Sequence, residues 1–346
     1  MSATDLRRPP ARTPPGTPRR LWTLLLALAL LGAVTVLSVA VGSGMLPPAT
    51  VWQAVTASDG SAVHATVVDL RVPRTLLGIA VGAALGVAGA LIQALTRNPL
   101  ADPGVLGVNA GAGFAVALAV AVLGVTRIEQ YLWFAFAGAV AATVVVYAIA
   151  AQGHRAPSPL RLTLVGVAFG AVLTGVAQTL ALTDPRTFDR MRFWGAGTIT
   201  DRPQGTLSTI LPWLLLGLLV AALCAHPLNA IALGEDHARA VGALVAPTRI
   251  AVVLAVTLLC GAATAAAGPI AFVGLMVPHA VRWLTGPDQR WIIGVSAVAG
   301  SVLLLSSDVI GRLVVVPAEL QVGIVTAFVG APMLIVLARR TRARAL

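Results

Sequence analysis

"IAVVLAVTLLCGAATAAAGPIAFVGLMVPHAV" (residues 250–281) is a run of 32 residues without one Asp, Glu, Lys or Arg. A helix needs about 20 apolar residues to cross the hydrocarbon core of a bilayer, so the run is too long for one crossing and short for two. Gly268-Pro269 falls inside it. Proline lacks a backbone donor and clashes with the preceding helical turn, so a helix breaks there. Reading the run as one span or two changes the number of crossings by one, and with it the side on which the chain ends.

The rest of the chain supports a membrane reading. Of 346 residues 58% are hydrophobic and 11% charged, with a mean hydropathy of +0.89, whereas roughly a quarter of an ordinary soluble domain is charged. Apolar runs recur from Leu21 to Leu337, at 21–41, 75–95, 104–124, 131–151, 160–182, 206–225, 291–307 and 320–338. The expected fold is all-α and polytopic. Residues 1–20 read as a disordered basic cytoplasmic tail, 21–340 as one transmembrane domain and 341–346 as a second basic tail. The first run reads as a retained helix rather than a cleaved leader, because so many spans follow it. Arg7, Arg8, Arg12, Arg19 and Arg20 precede the first span, and Arg339, Arg340, Arg342 and Arg344 follow the last. Arginine-rich flanks stay in the cytoplasm, so both termini are expected inside and the crossings must be even. Breaking 250–281 at Gly268-Pro269 makes ten. That map puts sixteen of the 24 arginines inside and eight outside; the outer eight, Arg71, Arg74 and Arg312 among them, oppose the rule and need another cause.

All 24 basic residues are Arg. Without Lys the chain can build neither a phosphate-binding loop of the GxxxxGK[ST] type nor a Schiff base, so any ATP-driven work needs a partner ATPase. The net charge of +11 follows membrane topology and does not imply nucleic acid. Every Asp and Glu lies at or near a span end or in a loop, which leaves little for the ion relay of a carrier acting alone. Cys224 and Cys260 sit in apolar runs as small core residues. His279 has no second ligand at a useful spacing, so no metal site is expected. Gly78, Gly82, Gly86 and Gly89 form a stripe on which helices can approach closely. One polar island interrupts the apolar chain, "LNAIALGEDHARAVGALVAPTR" (228–249). It reads as a short cytoplasmic helix with Asn229 as its N-cap, Glu235 and Arg239 as an i,i+4 pair, and Ala238, Val241 and Val245 on one face.

Three stretches carry a resemblance: "RVPRTLLGIAVGAALGVAGALIQALTRNPLADPGVLGVNAGAG" (71–113), "GPIAFVGLMVPHAVR" (268–282) and "PAELQVGIVTAFVGAPMLIVL" (317–337). Together they resemble the FecCD-type permease subunits of ATP-binding-cassette (ABC) importers for iron–siderophore complexes, haem and vitamin B12. The resemblance implies ten transmembrane helices with both ends cytoplasmic, in a bacterial inner membrane. It implies a pair of permeases, identical or paralogous, resting on a cytoplasmic ATPase dimer and loaded by a periplasmic or lipid-anchored binding protein. No cofactor is expected on this chain, since ATP and Mg²⁺ belong to the ATPase. Carried over, the ATPase-coupling segment has Gly234, Glu235, Ala238, Arg239 and Gly242 at its heart. Arg71, Arg74 and Arg312 would dock the binding protein, and Pro278, His279 and Arg282 form a structural motif beside the coupling region. Trp194, Gly197 and Thr198 resemble the family's W-x-x-G-[ST] element, expected near a short external helix rich in Arg186, Arg190 and Arg192. The expected cargo is a ferric siderophore, with cobalamin or haem as the alternative and an ion-coupled carrier as the rival class.

Overall fold

The computed structural model describes residues 16–42, 46–57, 59–125, 127–152 and 158–342. Among them there is no strand. The chain folds into α1 (Thr17–Ala40), α2 (Pro48–Thr56), α3 (Ala62–Ala65), α4 (Val72–Thr96), α5 (Val108–Leu123), α6 (Ile128–Ala150) and α7 (Pro159–Thr183). There follow α8 (Pro185–Gly195), α9 (Thr206–Ala232), α10 (Glu235–Ala240), α11 (Val245–Ala267), α12 (Val273–Thr285), α13 (Gln289–Val314) and α14 (Val322–Arg342). A π-helical turn at Thr66–Arg71 joins α3 to α4, and a 3₁₀ turn at Pro103–Leu106 precedes α5. Polar caps start several helices. The side chains of Ser158, Asp184 and Asp288 accept from the amides of Arg161, Thr187 and Arg290, each satisfying a donor that the first turn leaves orphaned.

Among the described residues seven helices are long and apolar enough to cross a membrane, and α5 and the Val322–Ile335 part of α14 are shorter apolar helices. With α12, the second half of the broken run, they correspond to the ten that the sequence predicts. The run that opened the problem is divided where Gly268-Pro269 predicted: α11 stops at Ala267 and α12 starts at Val273. With 13 residues, α12 is about 20 Å long. Non-helical backbone at membrane depth persists only where protein covers it, and here the segment after α8 covers it. Thr198 N donates to Ala267 O at 2.7 Å, and Gly323 N donates to Gly197 O at 3.0 Å. Gly268 has φ +75°, and an added Cβ there would strike the Trp194 carbonyl. The W-x-x-G-[ST] element is thus a plug in the broken helix and a footing for α14.

The core centres on α4 and α11, whose apolar windows are 78% and 83% buried. The glycine stripe of α4 makes that possible. A Cβ on Gly82 or Gly86 would meet the α13 backbone at Gly300–Ser301 or Ser296, and one on Gly89 would meet Gly274 of α12. Buried polar side chains join the layers: Gln93 Nε2 donates to Leu275 O at 2.9 Å, and Thr264 Oγ1 to Asn109 Oδ1 at 2.9 Å. α1 and α7 lie outside, only 6% and 17% buried. Cys224 and Cys260 are buried and unbridged.

Several expectations shift. α1 begins at Thr17, inside the segment read as tail; residues 1–15 and 343–346 lie outside the described set. α5 starts at Val108 because Asp102 caps the 3₁₀ turn first, accepting from Gly104 N at 2.8 Å. α2 and α3 have no counterpart in the expected spans. Asn229 is no N-cap, because α9 continues to Ala232 and places it in that helix's final turns. Its side chain reaches across the chain instead, accepting from Gln289 N at 2.8 Å and donating to Asp288 Oδ1 at 3.0 Å. It helps to start α13 rather than its own segment.

Candidate functional site

Arg20 at the start of α1 and Asn229 near the end of α9 both reach Asp288, so those two helix ends share one face. On that face, α10 is held between the ends of α9 and α11. Its six residues are bounded by Gly234 at φ +119° and Gly242 at φ +79°, and an added Cβ meets nothing within 4 Å at either position. Glycine is needed there for backbone conformation rather than for space. Ala238 is fully buried against Ile231 and Val245, as the periodicity expected. Val241 departs from the expected face and is exposed, because α10 stops at Ala240 and the chain turns. Arg239 Nη1 pairs with Asp236 at 3.3 Å, an i,i+3 contact on the exposed side; the Glu235 side chain lies outside the described residues. The result is a small helix with one alanine foot in the bundle and a charged upper surface.

Beside it on the same face, Arg20 Nε donates to Thr285 O at 3.0 Å, and Arg20 Nη1 lies 3.5 Å from Asp288. Pro278 is buried within α12. The His279 ring lies edge-on to Trp283, with centroids 4.8 Å apart. Both its nitrogens, and Arg282 Nε and Nη2, are covered without a hydrogen-bond partner among the described residues. No group of three or more His, Cys, Asp or Glu gathers anywhere in the described residues.

On the opposite face Arg71, Arg74 and Arg312 do converge, but not as an exposed patch. Arg71 Nη1 donates to Val39 O at 3.0 Å and Ala40 O at 2.8 Å. Arg312 Nη1 donates to Ser38 O at 2.6 Å and Val41 O at 2.8 Å. These are carbonyls that the end of α1 leaves without helical partners, at the negative pole of its dipole. Two guanidinium groups from α13 and the turn before α4 thus cap a helix remote in sequence. Asp308 holds the pair of remaining charges together. Its carboxylate accepts from Arg74 Nε at 3.2 Å and Nη2 at 2.7 Å, and from Arg312 Nη2. Arg74 Nη1 also reaches Glu319 Oε2 at 2.7 Å. Both Asp308 and Arg312 side chains are 2% exposed. The charges of these arginines are thus spent within the fold.

Around the cluster opens a cleft of about 970 Å³, lined in part by Tyr131, Asp189, Arg190, Trp194 and Arg202. Arg202 Nε and Nη2 donate to Thr198 O at 3.1 and 2.9 Å, stiffening the turn above the plug. α8, expected as a short external helix, forms the cleft's edge. Its N-cap Asp184 accepts from Thr187 Oγ1 at 2.6 Å and N at 3.0 Å, and these bonds hold its carboxyl below the usual range. Three features escaped sequence reasoning: Asp308 as a hub, Asn229 as a remote cap, and Gln93 and Asn109 as polar ties. Only their position in otherwise apolar runs marked them.

Residues 29–340 match the model of the FecCD transport family. The chain is 49% identical over 313 residues to the ferric enterobactin transport system permease protein FepD of Escherichia coli (strain K12), covering 90% of this chain and 93% of that one. It is 34% identical to the hemin transport system permease protein HmuU of Yersinia pestis, over 92% of this chain and 94% of that one. Among solved structures it is similar to a metal-chelate type ABC transporter in an inward-facing conformation, with a TM-score of 0.81 and 25% identity, covering 92% of this chain and 99% of that one. The chain therefore belongs to the FecCD transport family, as a multi-pass membrane permease subunit of an ABC importer.

Proposed function

We propose that this permease imports a ferric siderophore across a bacterial cytoplasmic membrane, with both termini and α10 in the cytoplasm. The observation that carries the cargo reading is the end-to-end likeness to a ferric enterobactin permease. The wider likeness to haem and cobalamin permeases keeps those cargoes as the second reading. α10 suits the coupling role: it is short, anchored by Ala238, and hinged at two positive-φ glycines. An ATPase pressing on its exposed surface moves α9 and α11 together, and α11 runs into the core. α7 and α14 present bare apolar surface, with Leu164, Val167, Val172, Phe328 and Val329 exposed. A second permease, a copy or a paralogue, is the proposed neighbour, with the transport path between. ATP binding and hydrolysis in the partner open that path alternately to either side.

The cleft on the outer face is the proposed dock for the binding protein. Because Arg71, Arg74 and Arg312 are bound up internally, their part in docking is to fix the shape of that surface, and its accessible charge comes from Arg190 and its neighbours. The chain itself carries out no covalent chemistry. Vesicles containing the permease, its ATPase and its binding protein should accumulate the ferric complex only with ATP. Uptake by the permease alone on a proton or sodium gradient would overturn the reading.

A further inference from the structure

α8, whose Arg190 edges the proposed dock, carries an arrangement that can also act on the cargo itself. Thr187, Met191 and Trp194, spaced i, i+4 and i+7, form the stripe that faces the bundle; Thr187 and Trp194 are buried, and the Trp194 ring lies over Gly113 of α5. The remaining stripes point outward. Arg186, Arg190 and Phe193 make one, Phe188 and Arg192 another, and all five are exposed. The helix holds one acid against three arginines. Asp189 lies 3.8 Å from Arg192, and among the described residues no carboxylate pairs with Arg186 or Arg190. Asp184, the N-cap two residues before Arg186, accepts from Thr187 but keeps its negative charge, which offsets part of the charge of Arg186.

The contrast with the neighbouring cluster is informative. Arg71, Arg74 and Arg312 on the same face are neutralised by Asp308, Glu319 and a helix end. On α8, by contrast, three arginines outnumber Asp189 and the N-cap Asp184, which leaves a net positive charge there. That charge lies in a particular place: α8 follows α7 through the single residue Asp184, so the three cations sit at the outer end of the bare apolar wall of α7. Phe188 and Phe193 already supply what an interfacial helix needs for anchorage, and outward-facing arginines are disfavoured by topology.

We propose that α8 is a cationic rim at the outer mouth of the path, where Arg186, Arg190 and Arg192 favour entry of anionic ferric complexes over neutral ones. The inference rests on the reading that α7 borders that path. Exposed charges act through a field that concentrates and orients an incoming anion, and such a field is screened by salt. The rim therefore governs how fast cargo arrives rather than how tightly it is held. That suits a path which must release what it admits.

The test uses the permease–ATPase complex in phosphatidylcholine nanodiscs without binding protein, so that docking does not contribute. The probes are a triply anionic ferric tris-catecholate and a neutral ferric trihydroxamate, both labelled with radioactive iron. At low salt the anionic probe should associate about 3- to 10-fold faster than the neutral one, and the advantage should collapse at high salt. R186Q/R190Q/R192Q should abolish the advantage. R186K/R190K/R192K should retain it, because Lys keeps the charge while changing the packing. A wild-type preference in the Gln variant, or a preference indifferent to salt, overturns the proposal. ATP-driven uptake by wild-type vesicles tests the importer reading separately, since it depends on the ATPase and not on the charge of the probe.

Discussion

Asp308 is the residue on which the outer face turns. It is the buried anion shared by Arg74 and Arg312, and each cation also bonds elsewhere, Arg74 to Glu319 and Arg312 to the end of α1. Removing one partner from a buried ion pair costs about 3–5 kcal/mol, because the remaining charge is stranded. Asp308→Ala should therefore lower the melting temperature of the detergent-solubilised protein sharply. Glu319→Gln should cost about 1 kcal/mol or less, because the Glu319 side chain is 30% exposed and water takes up part of the loss. Equal effects from the two substitutions would remove Asp308 from its central place. The expected topology put Arg71, Arg74 and Arg312 on the side that the positive-inside rule disfavours, and the family resemblance grouped them. Asp308 and Arg312 are an i,i+4 pair that spacing could have suggested, but Arg74 lies 234 residues from Asp308 and Arg312 lies 274 from Ser38, and no local pattern links those.

At the scale of elements, the helices were legible wherever apolar length or a backbone breaker decided them. The division of 250–281 followed from length and one proline, and the close packing of α4 from glycine spacing. The fit can be ranked. Gly82→Ala, Gly86→Ala and Gly89→Ala each drive a methyl into backbone of α13 or α12, and such overpacking costs about 1–3 kcal/mol. Gly78→Ala should be milder, because the nearest atom is a terminal methyl of Leu305, which can rotate away. Gly294→Ala, with no atom within 4 Å, should be tolerated. Yields of monodisperse protein and thermal melts measure the order; a severe Gly294→Ala with a benign Gly89→Ala would contradict the packing. The plug formed by residues 194–198 was not legible in this way. Its contacts to Ala267 and Gly323 are backbone hydrogen bonds, which leave no mark in side-chain composition. Asn229 misled for a related reason. A cap residue was read against its own segment, whereas α9 runs through two prolines to a point beyond it.

For the whole molecule, the proposed cycle makes coupling depend on the orientation of α10. Gly234 has φ +119° and ψ 149°, a region that only glycine occupies comfortably. Gly234→Ala and Gly242→Ala should each strain the hinge by about 1–3 kcal/mol without a steric clash. The expected outcome is ATP hydrolysis with less cargo moved per ATP, measured in vesicles carrying both partners. Asn, which relieves strain only in the left-handed helical region, should not rescue position 234. An unchanged ratio of cargo to ATP in both Ala variants would sever α10 from coupling. The island's polarity made this segment visible in the sequence, but its hinges appear only in the backbone angles.

The fastening of α1 has a consequence for how the chain is made. One end is clipped through Arg20 to Thr285, 265 residues later, and the other through Arg312 to Ser38, 274 residues apart. Arg71 supplies its clip early in synthesis; the others do not exist until α12 and α13 have left the ribosome. With 6% of its apolar window buried, α1 can meanwhile rest in lipid at little cost. α1 is thus made well before the contacts that finally secure it, and a chain interrupted before α13 lacks the rivet that Arg312 provides.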